Sequence, residues 1–247
     1  RRHLFVFLIF FISSIVFFKI LNNRFSNFFS SFFGTVLYIF SPRIYGDSFH
    51  NNKDIIFLSL VVFSIFFIFK LFKKIKNKNI IFFSLFAALA TSTRIMGLFL
   101  PISLILFFFL EKLNIKLKNN FKYICLTIIS YFFFLYVHFP FLWEAPVENF
   151  IKYITNSRDW VFSYYILFNG EYVLTTSLPD SYIFTWIGIS TPILNLILFF
   201  CGFILIFKRL FIRVININEF TYYNCDFWRS KKEMKDNFII FNLISIL

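Results

Sequence analysis

The sequence lacks any long polar stretch in which a soluble domain could fold. Its longest segment of mixed polarity runs from Pro140 to Ser190. Acidic side chains are scarce, 12 against 25 lysines and arginines, for a formal charge of +13. That excess suggests nucleic acid at first sight. The lysines, however, fall in short clusters between apolar runs, which is the positive-inside pattern of membrane proteins, so no nucleic-acid partner is expected. The three cysteines (Cys125, Cys201, Cys225) have no metal-ligand spacing, and the first two lie inside apolar runs, so no disulfide framework is implied. The three histidines (His3, His50, His138) form no HExxH-like motif. No metal site and no soluble cofactor motif emerges, and a divalent cation is left open. There is no initiator Met, the chain opens on Arg1-Arg2-His3 and it closes on FIIFNLISIL, about half a span; a piece of a longer protein, missing both ends, is expected.

What is present is apolar. Hydrophobic residues make up 59% of the chain and the mean hydropathy is +0.76, far above a soluble domain. The 45 phenylalanines can reflect codon bias as much as selection, so single ones carry little meaning. Apolar runs cover Leu4 to Leu21, Asn27 to Phe40, Ile55 to Phe72, Ile80 to Leu110, Tyr123 to Phe139 and Tyr182 to Phe207, the last interrupted by Pro192, and Phe238 begins another. Between them lie the polar loop RIYGDSFHNNKD (Arg43 to Asp54) and basic links at Lys73 to Lys78, Lys112 to Lys122 and Lys208 to Arg213.

The run Ile80 to Leu110 is the hardest to place and the most informative. As one helix it would extend about 46 Å, well past a hydrocarbon core of about 30 Å, yet two full spans need about 40 residues. Two short or tilted helices are therefore expected, meeting near Thr91-Ser92-Thr93-Arg94, with Gly97 and Pro101 helping the chain bend. If the run goes up and back, the three basic links all lie on one side, inside. The outer side then carries Arg1 to His3, the Asp47/Asp54 loop, the Arg94 turn and residues 140–184. In that outer loop Pro146 to Thr155 reads as a short amphipathic helix, and Asn169-Gly170 marks a turn. The expected architecture is all-α: a polytopic helical bundle of about seven membrane segments plus part of an eighth, forming a single domain over residues 1–247.

Arg94 is the one charge in its run, and an intramembrane charge is functional by default, although snorkelling to the interface is the plain alternative. A guanidinium pairs bidentately with phosphate, and a nearby carboxylate can orient or deprotonate an acceptor or hold a cation. Asp54 and Asp47 are the candidate catalytic carboxylates; Arg94, His50 and Trp143 are the candidate substrate contacts. Each has a plainer role beside it. Asp54 can be a first-turn acid of the helix from Ile55, Asp47 a loop residue beside Gly46, and Trp143 an interface anchor.

The order "short helix, SPRIYGDSFHNNKD, helix, basic loop, LATSTRIMGLFLP, helix" resembles the GT-C glycosyltransferases. More narrowly it is similar to bacterial relatives of the protein mannosyltransferase and aminoarabinose transferase group. The matching features are Asn52-Lys53-Asp54 leading into a span, Thr93-Arg94 followed by Gly97 and Pro101, and FPFLWEAPVENF with LFNGEYV after it. The resemblance implies a multi-pass enzyme of the bacterial inner membrane. It would move a sugar from a polyprenyl-phosphate donor to a glycan, lipid or protein acceptor on the outer face. It also implies Arg94 as the lipid-phosphate contact and Asp54 as the second acidic position. The main catalytic acid is then expected in a first outer loop upstream of residue 1, so the piece as given is expected to be inactive. A transporter or lipid flippase for an anionic solute, and a non-catalytic membrane scaffold, remain the alternatives.

Overall fold

The structure is a computed structural model and describes residues 2–113, 120–158 and 163–215. Ten α-helices follow one another among these residues: α1 (Arg2–Phe25), α2 (Phe28–Ile39), α3 (Pro42–Asp47), α4 (Asp54–Lys73), α5 (Asn77–Thr93), α6 (Phe99–Leu113), α7 (Asn120–His138), α8 (Pro146–Arg158), α9 (Tyr182–Ser190) and α10 (Ile193–Ile215). Short 3-10 turns cover Ile95–Leu98 and Pro140–Leu142. A two-stranded antiparallel hairpin, β1 (Tyr165–Phe168) and β2 (Glu171–Leu174), precedes α9.

The direction of the helices follows from contacts at their ends. His3 at the start of α1 contacts the Phe49 carbonyl just before α4, and Asn23 at its other end accepts a hydrogen bond from Lys73 at the end of α4. Thus α1 and α4 run parallel. Asp54 at the start of α4 meets Arg94 just past α5, so α5 returns antiparallel. Ser84 hydrogen-bonds Ser130, and Thr91 hydrogen-bonds Tyr131, so α5 and α7 run parallel. This geometry requires α6 to travel back between them. The break expected inside Ile80 to Leu110 is therefore present, and it falls at Arg94.

Helix α5 sits between α4 and α7. It can do so because the C-terminal part of its buried face is small: Ser84, Ala87, Ala88 and Ala90 let neighbouring backbones approach closely. Phe83 of α5 itself packs with Ile68, Leu100 and Leu135 of its neighbours in the core. Hydroxyls in these apolar helices have no water to turn to. Ser13, Ser14, Ser59, Ser64 and Thr91 each donate back to a carbonyl three or four residues earlier.

Among the described residues three helices are long and apolar enough to cross a membrane: Arg2–Phe25, Asp54–Leu71 and Phe121–His138; a bent pair makes four if it counts as one span. The short run from Asn27 and the second half of Ile80 to Leu110 form shorter apolar helices, Phe28–Ile39 and Ile95–Leu106. The described residues thus establish a helical membrane bundle with three to four candidate spans, not a count of seven. The run Tyr182 to Phe207 is not one straight span. Helices α9 and α10 meet at 117°. Thr191 before Pro192 takes the extended conformation that proline imposes on its predecessor. The Arg43 to Asp54 loop is partly helical, because Pro42 sets the first residue of α3. The expected amphipathic helix extends from Pro146 to Arg158. Asn169 and Gly170 both have positive φ, 51° and 91°, which makes their turn a tight hairpin. Trp160, Cys225, most of the Lys112 to Lys122 link and the run from Phe238 lie outside the described residues.

Candidate functional site

Asp54 begins α4, where unpaired backbone N–H groups and the helix dipole favour a carboxylate. Asn51 fixes it there. The Asn51 side-chain oxygen accepts from the N–H groups of Lys53 and Asp54, at 3.2 and 3.0 Å, while its Nδ2 donates to Asp54 Oδ2 at 3.0 Å. The other carboxylate oxygen, Oδ1, accepts from Arg94 Nη2 in an ion pair. Arg94 stands at the C-terminal end of α5 in extended conformation (φ −146°, ψ 131°), where the helix dipole favours a cation. The two side chains are 47% and 48% exposed, so the pair is open to solvent or ligand rather than sealed in the core.

The turn that presents Arg94 is held from three sides. Gly97 folds back so tightly that an added Cβ would lie 2.4 Å from the Thr91 nitrogen. From α7, the Tyr131 hydroxyl donates to Thr91 Oγ1 at 2.8 Å, and His138 Nε2 lies 2.9 Å from Ser92 Oγ. From α8, the Tyr153 hydroxyl donates to the Thr91 carbonyl at 2.7 Å. Burial raises the Tyr153 phenol above its ordinary pKa and the nearby Arg94 charge lowers it in part, so the phenol stays neutral and serves as a donor.

The other candidates gather elsewhere. Asp47 lies 3.9 Å from Arg43 Nε and 3.5 Å from His50 Nε2. Arg43 in turn lies 3.7 Å from the centroid of the Trp186 ring, which ties α3 to α9. Asp47 and His50 thus form a side-chain cluster with Arg43 and Trp186; among the described residues no ion pair joins it to Asp54 or Arg94, but the Asn51 N–H donates to the Asp47 carbonyl at 2.8 Å and so links it to the residue that anchors Asp54. Trp143 donates its indole N–H to the Tyr136 carbonyl at 2.7 Å and is half exposed, which ties it to the end of α7. Among the described residues no group of three or more His, Cys, Asp or Glu side chains could hold a metal ion.

A family model described as dolichyl-phosphate-mannose-protein mannosyltransferase matches residues 3–138, more than half of the chain. The chain belongs to this family. The match runs from α1 to α7 and so contains Asp47, His50, Asp54 and Arg94, while Trp143 lies beyond it. Membership of this mannosyltransferase family makes the protein an integral membrane glycosyltransferase in broad class, in agreement with the resemblance stated from its residues. No curated protein and no solved structure matches the chain.

Sequence reasoning missed Asn51, Thr91, Tyr131, His138 and Tyr153. Asn51 stands three residues before Asp54, a spacing that could have marked it as a capping side chain. His138 closes an apolar run, but as one of three scattered histidines it carried no motif. Tyr131 and Tyr153 had no signal, because their partners lie 40 and 62 residues away.

Proposed function

We propose that the protein transfers a sugar from a polyprenyl-phosphate carrier to an acceptor on the outer face of the membrane, with Arg94 and Asp54 at the transfer site. The acceptor oxygen attacks C1 of the sugar, the bond from C1 to the phosphate oxygen breaks, and polyprenyl phosphate leaves with its electron pair. Arg94 receives that phosphate. A guanidinium has five donors in a planar fork, so Nη2 can hold Asp54 while the remaining donors face the lipid phosphate. Asp54, gripped by Asn51 and Arg94, orients the acceptor hydroxyl or a bound cation. The main base that takes the acceptor proton belongs, by the family resemblance, to a first outer loop and is not one of this pair. Asp47, as a second carboxylate, and His50 and Trp143, as substrate contacts, are assigned to the same outer face.

The observation that carries this reading is the ion pair itself. A guanidinium, a group able to pair with phosphate, and a carboxylate stand side by side, half exposed, at one end of a membrane bundle, and this supports the reading. The topology that goes with it has seven membrane segments, the shorter helices included, in a bacterial inner membrane, with the lysine-rich end in the cytoplasm. The test is transfer by the full-length protein in membranes, offering polyprenyl-phosphate mannose and, separately, a nucleotide-activated mannose. Incorporation from the lipid donor alone supports the reading. Incorporation from the nucleotide sugar without a lipid intermediate contradicts it.

A further inference from the structure

At the end of the bundle opposite Asp54 and Arg94, the C-terminal ends of α1 and α4 line a shallow cleft open to solvent. Its floor is apolar, made by Ile20, Phe66 and Phe69, and its rim is Asn23, Arg24, Lys70 and Lys73. Three cations therefore converge on one small space. Apart from Asp54 at the far end of α4, neither helix carries a carboxylate. Lys73 Nζ donates to Asn23 Oδ1 at 2.9 Å and so bridges the two helices. Lys70 Nζ lies over two rings, 4.2 Å from the Phe66 centroid and 5.1 Å from that of Phe67. The ammonium is thereby held at the cleft by aromatic faces.

Cations in the last turn of a helix are favoured by its dipole, and basic residues at the cytoplasmic end of a span set orientation. Neither effect requires two helices to bring their cations together around an apolar floor. Both helices are long enough to be spans, so the cleft lies where the spans end, at the depth of lipid headgroups. The cleft is open on one side, so a phosphate can sit at its mouth against the three cations while the rest of a lipid stays in the leaflet.

We propose that this cleft binds the phosphodiester of an acidic phospholipid from the surrounding leaflet, with Lys70, Lys73 and Arg24 holding the phosphate and Ile20, Phe66 and Phe69 receiving the start of the acyl region. The site is separate from the transferase site, and its test does not depend on sugar transfer.

The experiment places the full-length protein in bilayers of phosphatidylcholine with a minority of phosphatidylglycerol and reads retained lipid by native mass spectrometry. Wild type is expected to retain phosphatidylglycerol in preference to phosphatidylcholine. The Lys70→Gln/Lys73→Gln variant should weaken that preference about 25-fold, at about fivefold per charge. The Lys76→Gln/Lys78→Gln variant, which removes the same charge outside the cleft rim, should keep most of it. Equal losses in the two double variants would overturn the proposal in favour of unspecific attraction by the basic link. So would the absence of any preference in wild type. Inorganic phosphate added to pure phosphatidylcholine bilayers is the third arm. Thermal stabilisation by free phosphate that phosphatidylglycerol does not match would overturn the lipid as occupant. If the double variant fails to fold, Lys73→Gln alone, with a loss of about fivefold, decides the same point.

Discussion

Asn51 shows how a single side chain can serve both fold and site. Its oxygen satisfies two N–H groups at the start of α4 and its amide nitrogen steadies the Asp54 carboxylate. Asn51→Ala should cost about 1 kcal/mol of stability through the lost cap. It should also lower transfer, because Asp54 then keeps Arg94 as its partner but loses its second anchor. Thermal unfolding in detergent and an initial-rate assay read the two effects separately. Asp54 was legible in the sequence as an acid leading into a span, and Arg94 as the one charge in a long apolar run. Their pairing was not, because the partners are 40 residues apart and nothing in either stretch encodes the other. Asp47 and His50 were legible as loop polar residues, but local spacing drew them to each other and to Arg43 rather than to the pair.

At the level of elements, the turn between α5 and α6 decides where Arg94 stands. Gly97 permits a backbone approach that a methyl group would block, since an added Cβ meets backbone atoms of Ala90 and Thr91 rather than a flexible side chain. Gly97→Ala should therefore destabilise by about 1–3 kcal/mol and displace the turn. The check is a lower melting temperature together with reduced transfer. Tyr153 fastens α8 to the same turn. Tyr153→Phe removes one hydrogen bond, worth about 1 kcal/mol, and should make the α8 segment more readily cleaved by protease, while the α4–α5 packing persists. The break in Ile80 to Leu110 could be read from length alone, because the run is too long for one span and too short for two. The hairpin could not be read as securely. Asn169-Gly170 announced a turn, yet the flanking strands lie in an aromatic-rich stretch whose short runs do not separate strand from interfacial helix.

On the scale of the whole molecule, the bundle has two chemically distinct ends. One carries His3, Asp54, Arg94 and His138; the other carries Asn23, Arg24, Lys70 and Lys73. The Lys73 to Lys78 cluster was legible in the sequence as the basic link that follows the end of α4. The number of spans was less legible, since apolar content does not distinguish a crossing helix from a shorter one packed inside the bundle. On the proposed function the Asp54–Arg94 end faces the outside. In a cysteine-free background, cysteines placed at Lys53 and Ser177 should react with a membrane-impermeant maleimide in intact cells, while one at Asn77 should react only after permeabilisation. The reverse pattern would invert the orientation and with it the outer-face reading.

The most direct test of the central claim is the transfer rate of the full-length protein with Arg94→Lys, Arg94→Ala and Asp54→Asn, measured beside thermal stability. An exposed ion pair contributes about 0–1 kcal/mol to stability, so all three variants should melt close to wild type. Transfer should fall by about 100- to 1,000-fold in Arg94→Ala, as expected for loss of a group that stabilises developing charge on a leaving group. Arg94→Lys should recover only part of it, because an ammonium keeps the charge and loses the planar fork. Asp54→Asn should also be impaired. Wild-type rates in both Arg94→Ala and Asp54→Asn would contradict the account and leave the pair a structural link between α4 and α5.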